Sequence, residues 1–74
     1  MRQFDLVGVD GNAFSVMGYV AKAMRQCKFS KRDIDSYYKD AMSSNYDHLL
    51  AASIDMIDRC NIVVSANESD DYED

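Results

Sequence analysis

The tripeptide Asp10-Gly11-Asn12 constrains the fold of this chain more than any other feature. It joins a β-rich run, residues 4–9, to a long helical pattern that starts at Ala13. Asp and Asn side chains accept hydrogen bonds from the free N–H groups of a helix start, and Gly permits a tight turn. The junction therefore predicts where the first helix begins and how an extended segment enters it. Within that segment Phe4 and Leu6 fall on one face of a strand, and Asp5, Val7 and Val9 on the other. Gly8 weakens its end.

Three amphipathic helices follow. The first, capped by Asn12 and running to about Lys28, places Ala13, Met17, Val20, Met24 and Cys27 on one face at steps of four and three. Val16 and Ala23 widen that face, and Ser15, Lys22, Arg25 and Gln26 lie opposite. Gly18 sits mid-helix at a cost of about 1 kcal/mol relative to Ala, which fits either a solvent-facing position or a close approach by another backbone or a partner. The second helix opens with Ser30 as N-cap and Asp33 three residues later, a capping box with Asp in place of Glu, and Phe29 and Ile34 match a hydrophobic staple. Ile34, Tyr37, Tyr38, Ala41 and Met42 then form its apolar face. The very short connection makes the first two helices neighbours. After Ser43-Ser44-Asn45, either Ser44 or Asn45 caps a third helix with an apolar stripe of Tyr46, Leu49, Leu50, Ser53, Ile57 and Cys60, flanked by Ile54 and Met56. His48, Ala51, Asp55, Asp58 and Arg59 point outward.

Asn61 reads as a left-handed C-cap, and the β-branched Ile62-Val63-Val64 as a second strand. Two strands alone are marginal in water, so they are expected to pair as a ribbon packed on the helices. The expected fold is α+β, in the order β-α-α-α-β, with residues 1–65 as one compact domain and 66–74 as a disordered acidic tail. The tail carries five of the thirteen acidic residues, which leaves eight acidic against eight basic residues in 1–65. The tail alone therefore sets the net charge of −5.

That charge disfavours nucleic-acid binding, which needs a basic face. One basic cluster exists, Lys22, Arg25, Lys28, Lys31 and Arg32, and Asp33 and Asp35 follow it directly. The longest uncharged stretch, 11–21, is about half of a membrane span. No apolar run near the N-terminus suits a signal peptide. A cytoplasmic location is the default expectation.

Cys27 and Cys60 form no C-x-x-C pair, and the single His cannot complete a zinc site with them. They read as reduced core thiols; a disulfide between them would imply an oxidising compartment. No metal or cofactor is expected. Residues 8–12 lack the spacing of a phosphate loop or a dinucleotide fingerprint. His48 and Asp47 are adjacent on a helix and do not face each other. A domain of this size leaves little room for a pocket of about 300 Å³. Enzymatic activity is not expected.

The blocks Asp10-Gly11-Asn12-Ala13-Phe14, Met17-Gly18, Ser43 and Tyr46-Asp47-His48-Leu49-Leu50, with their spacing, resemble a group of small uncharacterised bacterial and phage-associated proteins. The resemblance covers residues 10–50. That group usually has Ser-Gly-Asp-Tyr before the third helix, where this chain has Ser43-Ser44-Asn45-Tyr46. The resemblance implies an α+β fold and carriage on a phage or mobile element, and no substrate.

The surplus of Tyr and Met beyond what three helices bury points to a non-enzymatic protein-interaction module, binding a partner protein or a second copy. Tyr19, Tyr37 and Tyr38 are the candidate partner surface. Nucleic-acid contact through Lys22, Arg25, Lys28 and Arg32 is the alternative.

Overall fold

Local capping sets the first two helices. Asn12 Oδ1 accepts from the Phe14 N–H at 2.8 Å and opens α1, Ala13–Gln26. Ser30 Oγ accepts from the Asp33 N–H at 3.1 Å and opens α2, Lys31–Ala41. Asn45, and not Ser44, opens α3, Tyr46–Glu73, by accepting from the His48 N–H at 3.0 Å. The computed structural model describes residues 4–73, with side chains from 4 to 66.

The register of contacts fixes the helix directions. Tyr37 meets Ser53 and Asp40 meets His48, so α2 and α3 run antiparallel. Gly11 meets Tyr46 and Cys27 meets Cys60, so α1 and α3 run parallel. This is an up-down-up bundle with short connections. Its core is Val16, Met17, Val20, Ala21, Ala23, Met24 and Cys27 of α1, Ile34, Tyr37 and Ala41 of α2, and Leu49, Ser53, Ile57 and Cys60 of α3. Ser53, fully buried, donates to the Leu49 carbonyl at 2.7 Å and shares a 2.6 Å hydrogen bond with Tyr37 Oη. Among the described residues no buried side-chain polar atom lacks a partner.

The α+β expectation is corrected: the described residues contain three helices and no strand. Ile62-Val63-Val64 continue α3. β-branched residues lower helix propensity by only a few tenths of a kcal/mol each. Burial outweighs that, because Val63 and Val64 extend the apolar stripe and pack against the core. Asn61 is therefore no C-cap. Without a second strand, residues 4–9 have no ladder to join. They form a strap along the α1–α3 groove, with Phe4, Leu6 and Val9 half-buried against the core.

Side chains supply the strap's hydrogen bonds. Phe4 N–H donates to Asn61 Oδ1 at 2.9 Å, and Asn61 Nδ2 donates to the Phe4 carbonyl at 3.0 Å. The Asp5 N–H donates to Tyr19 Oη at 2.9 Å. Tyr46 Oη donates to the Gly11 carbonyl at the other end. Midway, the Val9 N–H closes a turn on the Leu6 carbonyl at 3.0 Å, with Gly8 at φ 90°, the positive value a type II turn requires at its third residue.

α1 ends in a Schellman motif: Phe29 N–H bonds the Met24 carbonyl and Lys28 N–H bonds the Arg25 carbonyl. Lys28, at φ 71°, holds the left-handed position usual for Gly. Gly18 faces solvent, with nothing within 4 Å of where a Cβ would stand, so no other backbone of this chain approaches it among the described residues. The acidic segment 66–74 was expected to be disordered. Its backbone to Glu73 belongs to α3, and its side chains from 67 lie outside the described residues.

Replacing Asn61 by Ala is expected to cost about 1–3 kcal/mol, because the half-buried Phe4 N–H and carbonyl both lose their partner. Urea unfolding checks the loss. Amide exchange checks its location, with the Phe4 and Asp5 amides exchanging faster while those of α2 do not.

Candidate functional site

At the Tyr46 end of the bundle, α1 and α3 begin and α2 stops. Met42 follows the last turn of α2, and Phe14 and Tyr46 lie in the first turns of α1 and α3. No element covers this end among the described residues. Phe14 is 78% exposed, Met42 58% and Tyr46 42%, around an open apolar mouth of about 310 Å³ walled by Ala13, Met17, Ala41 and Leu49. Large apolar side chains clustered around a concavity mark contact surfaces more often than singly scattered ones do.

A second concavity of about 350 Å³ lies between α2 and α3. Phe29, Tyr37, Ala52 and Met56 line its apolar part, and Asp33, Asp40, Asp55 and Arg59 its polar part. Arg59 Nε is 3.4 Å from Asp55 Oδ2. His48 Nε2 is 3.2 Å from Asp40 Oδ1. The expectation of little room for a pocket near 300 Å³ is thus corrected. The first lies where α1 and α3 begin and α2 stops, and the second between α2 and α3.

The three candidate tyrosines are not one surface. Tyr37 is 4% exposed and belongs to the core. Burial pushes its phenol above the ordinary value, the Ser53 hydrogen bond opposes that, and Tyr38 adds to it. Tyr38 is half-buried, its ring centroid 5.7 Å from that of Tyr37. Tyr19 is half-buried and accepts from the strap. A helical stripe does not reveal which of two adjacent tyrosines faces inward, nor that a phenol will serve as a backbone acceptor.

The basic residues do gather. Lys22 and Arg25 near the end of α1, Lys28 in the turn and Arg32 in the first turn of α2 are all exposed, and none forms an ion pair among the described residues. Lys31 instead pairs with Asp35 at 3.3 Å.

Met42 and Tyr46 were missed as surface residues because each continues an apolar stripe, and Phe14 because it was assigned to neither face of α1. The available signal was position: all three lie at helix ends bordering one end of an up-down-up bundle. The Asp40–His48 pair was likewise hidden, since eight residues separate the partners and only the antiparallel return brings them together. His48 has no serine or cysteine hydrogen-bonded to it among the described residues; Ser43 Oγ donates to the Asp40 carbonyl instead. No group of three His, Cys, Asp or Glu side chains gathers as a metal site among the described residues. No described helix is long and apolar enough to cross a membrane.

Cys27 and Cys60 are free and buried. Cys27 Sγ donates to the Cys60 carbonyl at 3.5 Å. Burial, and then the neighbouring Cys27, push the Cys60 thiol up to about 12. Comparison with protein-family models, with curated proteins and with solved structures finds no match to this chain.

The raised thiol sets an alkaline limit to stability. The folded chain keeps a proton that the unfolded chain releases near 9.0. This contribution is complete below pH 9.0 and is lost as pH climbs toward about 12. Tyr37, also raised, adds a loss of the same sign above its ordinary value of 10.0. Urea unfolding across this window is expected to show falling stability, with a flatter limb in Cys60→Ala and, above 10.0, in Tyr37→Phe.

Proposed function

We infer that the chain is a small non-enzymatic protein-interaction module, of bacterial or phage origin as its sequence resemblance implies. The exposed triad Phe14, Met42 and Tyr46 around an apolar mouth carries this reading. Met adapts its shape to a partner, and Phe and Tyr bring large contact area at little cost in rotamer entropy. Phe14 stands at the rim of an open apolar hollow of about 310 Å³. The mouth therefore suits a partner's anchor residue, or the Phe14 of a second copy in a reciprocal two-fold contact.

The test uses tagged wild-type chain and Phe14→Ser/Met42→Ser side by side, with circular dichroism to verify equal helicity. A partner retained by the wild type and lost by the variant, or a concentration-dependent dimer in sedimentation that the variant abolishes, is the expected result. Equal capture by both, with both monomeric, would overturn the reading.

Nucleic-acid contact stands as the second reading. Four exposed cations, Lys22, Arg25, Lys28 and Arg32, which form no ion pair among the described residues, favour it. Neutralising phosphates with these side chains would make binding fall steeply with salt. A gel shift that stays negative at low salt removes this reading.

A further inference from the structure

α3 borders two grooves, and they are treated unequally. The α1–α3 groove is filled by the chain's own strap, with Phe4 and Leu6 against the core. The α2–α3 groove is open and encloses about 350 Å³. Its floor is apolar, formed by the half-buried Phe29 and Met56 over the ring of Tyr37. Its walls are acidic: Asp33 and Asp40 on α2 and Asp55 on α3, against the single guanidinium of Arg59.

We propose that this groove docks a basic segment of a partner protein, with an apolar side chain on the floor and Lys or Arg side chains between the carboxylates. Charge complementarity selects the occupant. Arg59 is engaged with Asp55, and Asp40 is bonded to His48. Asp33 has no ion pair among the described residues, and its neighbour Lys31 is turned to Asp35. A neutral or acidic segment seated here would strip water from a groove whose three carboxylates outnumber its one guanidinium, whereas Lys or Arg side chains would compensate that excess, Asp33 first. The same argument excludes the chain's own acidic segment, 66–74, as the occupant. The strap shows that a groove of this bundle accepts an extended segment carrying apolar side chains. The proposal goes beyond the mouth around Phe14 and shares none of its residues.

The test is a titration of the ¹⁵N-labelled full chain with a synthetic peptide of alternating Leu and Lys, and with its Leu/Glu counterpart. The expected result is saturable shifts at Asp33, Asp40, Asp55 and Arg59 with the Lys peptide only. Asp33→Asn/Asp40→Asn removes charge, and Ala52→Trp fills the floor without changing charge. Each is expected to weaken binding by about fivefold or more, while Phe14→Ser leaves it unchanged. The fate of Phe14→Ser separates this proposal from the reading of the mouth. Shifts confined to 67–74, an equal response to the Glu peptide, or an affinity unchanged in both groove variants would overturn it. So would groove shifts arising from dimerisation without peptide.

Discussion

One side-chain amide ties this fold together. Asn61 presents an acceptor and a donor side by side, and Phe4 presents a donor and an acceptor at matching spacing. The pair reproduces what a neighbouring strand would offer, using a single residue on a helix. Because it holds the far end of the strap, with Tyr46 holding the chain at Gly11, residues 4–9 lie along α1 and α3 without any ladder. The strap covers the apolar seam between those helices, so the bundle needs no fourth helix there. It also decides, by occupation, which groove of α3 remains open.

The helices were legible because their signals are local. Asn12, Ser30 and Asn45 cap where a polar side chain precedes an apolar period, and the stripes of Met17, Val20 and Met24 or of Leu49, Ile57 and Cys60 face inward as their spacing requires. The strap and the end of α3 were not legible, for the same reason. Val63 and Val64 have strand composition, yet a helix already in progress adds one hydrogen bond per residue, and the core beneath rewards continuing. Asn61 has the chemistry of a C-cap but is used at long range, where no sequence pattern within one window reaches it. The candidate surface was legible only as a surplus of Tyr and Met. Where that surplus emerges depends on how the three helices terminate relative to one another, which is a tertiary property.

The two concavities divide the surface by chemistry. At the Tyr46 end the helices stop without a cover and leave Phe14 and Met42 in solvent. Between α2 and α3 carboxylates stand on both walls above a floor of Phe29 and Met56. Lys22, Arg25, Lys28 and Arg32, which form no ion pair among the described residues, collect at the opposite end. A chain whose residues 1–65 balance eight acidic and eight basic side chains is thus locally polarised, and each region suits a different class of contact.

The Asn61 clamp also bears on how copies of this chain behave when concentrated. An α+β ribbon of two strands would have exposed an edge, a row of unpaired donors and acceptors on which further chains can add. Here the extended segment ends its pairing on one amide, and an amide on a helix cannot be extended by another strand. The N-terminal run has the β-branched and aromatic composition of an aggregating segment, yet folding places it between two helices. Asn61 therefore does more than close the strap: a change that releases Phe4 also frees a stretch whose composition suits strand addition.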